Sequence, residues 1–256
     1  MSYDIPKTVT KIYFHTGNVM NAKELTQKAG QNATQEVIEC LNIYLSKCPS
    51  PFALNEKIIH LKCDEFYNND NEKEHKALRT SVKIFLTSKA VDVLKDSLKK
   101  LFQELNEEVI DSVILAFNHD KDTLLTDLLT LWSVLEGYVN KQKITRLGVS
   151  DIDTDLFISL YQNSIIKPTI AQINLNSCCV VPEALQQFTT NNEIQLLAHN
   201  DPKDILLQSC LVDIFKNKTE LKQKIPKLEW MIRYLTHVVS RAIIASKGYI
   251  VCLRNS

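Results

Sequence analysis

The chain has 256 residues, 45% hydrophobic and 23% charged, ordinary values for a sequence that buries a sizeable core, and a length that α/β barrels reach as one domain. Thirty Lys plus Arg balance thirty Asp plus Glu, so no net field draws it to nucleic acid or anionic lipid. The opening MSYDIPKTVTKIYF has no basic segment followed by an apolar run, and no apolar stretch reaches 18 residues, so no membrane span and a cytoplasmic location are expected.

In chain order, Lys11 to His15 reads as a strand, Gln35 to Ser46 as a helix and Lys57 to Lys62 as a strand. The polar stretch Asn68 to Lys76 reads as a solvated loop. Short apolar runs then alternate with amphipathic segments. The runs are Val82 to Leu86, Val113 to Phe117, Ile144 to Val149, Ile170 to Leu175, Ile194 to Ala198 and Ala242 to Ala245. Between them, Val91, Leu94, Leu98, Leu101, Phe102 and Leu105 form one helical face, and helices fit Thr123 to Lys141, Thr154 to Asn163, Pro182 to Asn191 and Leu228 to Val238. About eight strands with helices between them predict a closed β/α barrel, one domain spanning residues 1–256.

Chemistry-bearing motifs are sparse. Seven cysteines, Cys40, Cys48, Cys63, Cys178, Cys179, Cys210 and Cys252, make an odd number without a CxxC pair, which argues against structural disulfides and zinc. Only five glycines occur and no phosphate-cradling glycine loop is present, which disfavours P-loop and Rossmann nucleotide enzymes. Trp132, Trp230 and Tyr234 sit within apolar patterns and are expected in the core.

Leu131 to Asn174, with a helix, a KITRLGVS strand, a second helix and a KP turn before a Gln-bearing strand, resembles the middle of an aldo-keto reductase. KIFLTSK ending at Lys89 and DSVILAFNH ending at His119 resemble the reductase strands that end in a catalytic Lys and His. HTGN at His15 to Asn18, INLNSCCVVPEAL at Ile173 to Leu185, IQLLAHNDPKDIL at Ile194 to Leu206 and SKGYI at Ser246 to Ile250 are similar to the regulatory subunits of glutamate-cysteine ligase, relatives of those reductases.

The resemblance implies an aldo-keto-reductase-like (β/α)8 TIM-type barrel with a truncated C-terminal cofactor segment. It also implies a tetrad that is not whole. Lys89 and His119 match, but the best candidates for the Asp and Tyr, Asp64 and Tyr67, are three residues apart where the reductase pattern has a wider separation. Ser150, Asp151 and Gln172 fall where reductases hold the nicotinamide amide, with Asp in place of the usual Asn; an ionised Asp accepts hydrogen bonds but cannot donate them. His199-Asn200-Asp201-Pro202 replaces the aromatic platform, and the nine residues after Lys247 are too few for the adenosine clasp. No cofactor is therefore expected, and an NADPH-dependent carbonyl reductase is the competing expectation.

The partner implied by the resemblance is the ligase catalytic subunit, in a heterodimer. Cys178 and Cys179 lie just after a predicted strand and are either packing thiols or the source of a redox-sensitive bond to that partner, with Cys252 a further candidate. His199, Asn200, Asp201 and Lys203 offer too few ligands for a metal and read as a helix cap near Asp201 or as partner contacts.

Overall fold

Runs such as VKIFL and VILAF carry few polar side chains, so as strands they can be covered on both faces, the condition for a parallel sheet flanked by helices. The computed structural model describes residues 8–22, 32–47, 57–62, 78–117, 124–174, 180–202, 204–216, 225–240 and 243–255. The chain divides into two compact units, residues 79–201 and residues 1–78 with 202–256. The α/β class and the barrel-like alternation expected from the sequence hold.

Residues 79–201 carry β3 (Leu78–Leu86), α2 (Val91–Leu105), β4 (Ile110–Phe117), α3 (Leu125–Asn140), β5 (Ile144–Ser150), α4 (Thr154–Asn163), β6 (Ile170–Asn174), α5 (Glu183–Asn191) and β7 (Gln195–His199). The strands are parallel and pair in chain order, because each is followed by a helix that returns the chain to the same end of the sheet. On one face of this sheet Lys83 aligns with Ile114 and Gly148, Ser150 with Gln172 and Leu197, and Asn174 with His199. Gly148 is required by packing: a Cβ there would stand 2.7 Å from the Ile170 Cβ and 2.9 Å from its carbonyl oxygen. Trp132 is fully buried on α3 and donates its indole N–H to the Ile166 carbonyl (2.8 Å).

The other unit carries β1 (Lys11–His15), a 3-10 turn (Val19–Asn21), α1 (Ala33–Lys47), β2 (Ile58–Lys62), α6 (Gln208–Lys216), β8 (Lys227–Val238) and β9 (Ile243–Arg254). β1 lies between a parallel neighbour, β2, and an antiparallel one, β9, which in turn pairs antiparallel with β8. Its core includes Phe14, Leu41, Leu61, Phe215, Trp230 and Tyr249.

Two expectations require correction here. Residues Leu228 to Val238, expected as a helix, are strand β8. Leu228, Met231, Ile232 and Leu235 satisfy helical spacing, but Ile232, Tyr234, Thr236 and Val238 are buried while Arg233, Leu235 and His237 are less so, a period of two set by pairing with β9. The expected helix cap near Asp201 is absent, since the next described helix begins at Gln208.

Candidate functional site

β5, β6 and β7 end in Ser150, Asn174 and His199, so three polar side chains finish three adjacent apolar strands. The carboxyl ends of parallel strands are where folds of this type build their sites. A cation from β3 reaches them: the Lys83 ammonium donates to Ser150 Oγ and to Asp201 Oδ2, each at 2.9 Å. Ser150 is fully buried, and Lys83 and Asp201 are each 4% exposed. Ser150 in turn donates to Asp151 Oδ2 (2.8 Å), and its oxygen lies 3.1 Å from His199 Nε2. The Asn174 amide closes the group by donating to the Asp201 carbonyl (2.7 Å).

His199 stands between two carboxylates. Its Nε2 is 2.9 Å from Asp151 Oδ1, and its Nδ1 is 3.2 Å from Asp201 Oδ2 and 3.1 Å from the Asp201 backbone N–H. Neutral His199 can donate from Nε2 to Asp151 while Nδ1 accepts from the Asp201 N–H; protonated, it donates to both carboxylates. Burial pushes the imidazole pKa down, but the hydrogen bonds to Asp151 and Asp201 outweigh burial and the repulsion of Lys83, and His199 titrates above its ordinary value. Burial likewise pushes Asp151 up, yet the hydrogen bond and charge of His199, the Ser150 hydroxyl and the Lys83 charge hold it below the usual carboxylate range.

These opposite shifts fix a pH dependence. The raised His199 value means that its contribution to stability is complete below about pH 6.5 and is lost as pH rises through its folded-state value; the depressed Asp151 value means a contribution present above about pH 3.9 and lost as pH falls through its folded-state value. Urea midpoints measured from pH 5 to 9 are expected to fall on the alkaline side, and His199→Asn is expected to flatten that slope. A slope unchanged in the variant would refute the assignment.

Asp151 has a backbone φ of 58°, in the left-handed region, and is held there by its N–H donating to the Gln172 carbonyl (2.9 Å). The structure thus brings together Ser150, Asp151, His199 and Asp201, with Gln172 beside Ser150. Lys89 is not among them: it is 27% exposed and pairs with Asp127 Oδ2 at 3.6 Å. Asn200 is exposed. His119, Cys178, Cys179 and Lys203, and the tetrad candidates Asp64 and Tyr67, lie outside the described residues. Lys83 and Asn174 are absent from the sequence-based candidates; the one available signal was a lysine inside the apolar run VKIFL.

The other unit explains two of the family-specific motifs. HTGN runs beside SKGYI: the Thr16 N–H donates to the Tyr249 carbonyl (3.0 Å), the Tyr249 N–H to Thr16 Oγ1 (2.9 Å) and the Lys247 N–H to Asn18 Oδ1 (3.1 Å). The Tyr234 hydroxyl donates to the Gly17 carbonyl (3.0 Å) and lies 3.1 Å from His15 Nε2. Glu36 on α1 accepts from Lys247 Nζ (2.6 Å) and from the Tyr249 hydroxyl, and burial with the adjacent carboxylate pushes the phenol far above its ordinary pKa. Trp132, Trp230 and Tyr234 are all core residues.

Cys252 is fully buried in β9 and donates its thiol to Glu229 Oε2 (3.4 Å), while Glu229 also pairs with Lys11 and Arg254. A bond from Cys252 to another protein requires β9 to open. Native-state alkylation is therefore expected to leave Cys252 unmodified until denaturant is added; labelling at the rate of a free thiol would contradict this burial.

These features define an α/β protein whose parallel strands end in a largely buried polar network that reaches the surface at Asp151, with Gln172 Oε1 buried beside it and without a hydrogen-bond partner. No protein-family model matches the chain. It is 32% identical over 255 residues to the glutamate-cysteine ligase regulatory subunits of Rattus norvegicus and Mus musculus and 31% identical to that of Homo sapiens, covering 93% of this chain and 91% of each relative. The chain belongs to the glutamate-cysteine ligase regulatory subunit family. Among solved structures it is similar to an aldo-keto reductase from a Medee basin deep-sea metagenome library (18% identity, TM-score 0.39, 47% of this chain and 42% of that one). It is also similar to an aldose reductase from Giardia lamblia (16% identity, TM-score 0.36, 65% and 52%), and both likenesses are too slight to inform the site. No helix among the described residues is long and apolar enough to cross a membrane.

Proposed function

We propose that this chain is a non-catalytic subunit that binds the catalytic subunit of glutamate-cysteine ligase and regulates it in the first step of glutathione synthesis. The observation that carries this reading is the likeness to curated regulatory subunits over 93% of the chain. The placement of Lys89 supports it: its ion pair with Asp127 leaves it half-buried on the end of α3 rather than within the buried polar network. The role requires no chemistry of its own. By binding one conformation of the catalytic subunit better than another, the chain shifts that enzyme toward tighter glutamate use and weaker glutathione inhibition.

The complex is a cytoplasmic heterodimer. Asn200, exposed between His199 and Asp201, is one of the exposed described residues of the IQLLAHNDPKDIL motif, with Gln195 and Ala198, and is the partner contact we favour, together with Lys203 three residues further on. The redox-sensitive link that the resemblance implies runs through Cys178 or Cys179; Cys252, the further candidate, is buried. The Cys178→Ser/Cys179→Ser variant is expected to lose a reducible heterodimer band on non-reducing gels while still co-eluting with the catalytic subunit. A persisting band would move the link to Cys210.

The deciding experiment is glutamate dependence and glutathione inhibition of the catalytic subunit with and without this chain, paired with size exclusion. Co-elution with a lower KM for glutamate or a raised glutathione inhibition constant is expected. Separate elution and unchanged kinetics would reject the reading, and oxidation of NADPH by a small carbonyl in the presence of this chain alone would replace it with a reductase.

A further inference from the structure

Ser150 and Gln172 are register partners on neighbouring parallel strands, so their side chains share one face of the sheet, with Leu197 next along on β7. Gln172 Oε1 is buried without a hydrogen-bond partner, and neither end of this amide is hydrogen-bonded among the described residues. The Gln172 side chain is itself only partly buried, and a terminal amide turns about a broad torsion, so it can present its oxygen to an arriving group without giving up a bond. Asp151 stands beside it, its N–H donating to the Gln172 carbonyl and its side chain 37% exposed. An ionised carboxylate accepts about four hydrogen bonds, and Ser150 and His199 supply the donors present here. Two acceptors with spare capacity therefore lie next to each other where the network meets the surface.

The surrounding charge selects the donor. When His199 is neutral, the Lys83 ammonium faces two carboxylates, Asp151 and Asp201, while Ser150, Gln172 and Asn174 carry no charge. One negative charge is left over, so a cation is favoured over a neutral N–H or O–H group. A guanidinium suits this setting better than an ammonium. It is more weakly hydrated and loses less on entering, its planar fork spans two acceptors, and its flat face can lie on an apolar side chain such as the half-buried Leu197.

We propose that Asp151 and Gln172 form a receiving site for a guanidinium group, carried either by a small molecule or by an arginine of another protein. Part of the fork meets the exposed side of the Asp151 carboxylate, a further N–H meets the Gln172 oxygen, and the plane rests against Leu197. His199 sets the strength of the site. The charged groups that face it are Lys83 from β3, Asp151 after β5 and Asp201 after β7. Protonated, the imidazole donates to both carboxylates and cancels the leftover charge, so guanidinium and proton compete for Asp151. Binding is therefore tighter above the His199 titration than below it. This site does not depend on the ligase catalytic subunit.

The test follows the Leu197 methyl signals by NMR of the full-length, leucine-methyl-labelled chain as N-acetylarginine amide is added, with N-acetyllysine amide as the ammonium control. A saturable shift is expected, with the arginine compound binding at least about tenfold tighter than the lysine one. Asp151→Asn removes the charge with a residue that tolerates the left-handed backbone there, and Gln172→Met removes the amide at similar length. Each is first shown to melt cooperatively, and each is expected to weaken binding at least about tenfold, one hydrogen bond to a charged group's worth. Affinity is expected to fall about fivefold or more from pH 8.5 to pH 6, and His199→Asn to remove that dependence. Saturation below about 1 mM would mark a small molecule as the source; saturation between about 1 and 50 mM would mark an arginine held in part by contacts around it on a protein. No saturable shift up to about 50 mM, equal affinity for the lysine compound, or variants that bind as the native chain does would overturn the proposal. Should Asp151→Asn fail to melt cooperatively, Gln172→Met decides the matter alone, since Gln172 has no side-chain hydrogen bond to lose and the charges of the network stay in place.

Discussion

Lys83→Met is expected to cost about 3–5 kcal/mol of folding stability at pH 8, the range for breaking one side of a buried ion pair. Methionine fills nearly the same volume, so the loss is electrostatic: Asp201 keeps its burial and loses its lysine, and Ser150 loses a donor. Set against the roughly 5–15 kcal/mol typical of a folded protein, this is about a fifth or more of the total. His199 moderates the loss. Lys83 opposes protonation of His199, so removing it raises the imidazole pKa further and lets the imidazolium take over as the partner of Asp201. The penalty should therefore shrink as pH falls from 8 to 6, and the Lys83→Met/Asp201→Asn pair should cost less than the two single changes summed. Urea unfolding at both pH values checks each part, and a pH-independent cost would show that the cavity, rather than the charge, dominates.

Gly248→Ala is expected to destabilise the other unit by about 3 kcal/mol, the upper end of overpacking penalties, because its neighbours cannot yield. Gly248 pairs with Tyr234 across the β8 and β9 ladder, and a Cβ there would overlap both the Tyr234 hydroxyl and the Gly17 carbonyl oxygen. Those two atoms are hydrogen-bonded to each other, and Gly17 has a φ of 68°, so the backbone there is already fixed in a conformation few residues adopt. Tyr234→Phe in the same chain should recover only part of the loss, since the Gly17 carbonyl stays in place and loses its donor. A thermal melt within 1 °C of the native chain would contradict this packing. By the usual scaling, 3 kcal/mol corresponds to a drop of several degrees or more.

Much of the candidate site was legible in sequence because motif spacing places residues at strand ends. Ser150 closes the strand KITRLGVS and His199 closes QLLAH, so both fall at the same end of a parallel sheet once the strands are read. Lys83 was not legible. A lysine in VKIFL satisfies the strand pattern equally well as a solvent-facing residue, and only its neighbours show that it is buried. Asp201 was read as a helix cap from the proline that follows it, yet its carboxylate turns inward to a lysine 118 residues earlier.

The sequence by itself determined the strand and helix alternation of residues 79–201, because there the apolar spacing has one period at a time and each segment's partner is the next one along the chain. The family followed from motifs that survive as contiguous strings. Tertiary structure alone decided that Leu228 to Val238 is a strand, since its apolar residues fit both periods and pairing with β9 selects one. It also decided that Lys83 sits inside the network rather than in water, because the free energy of burying an ammonium depends on whether Ser150 and Asp201, distant in sequence, stand within 3 Å of it.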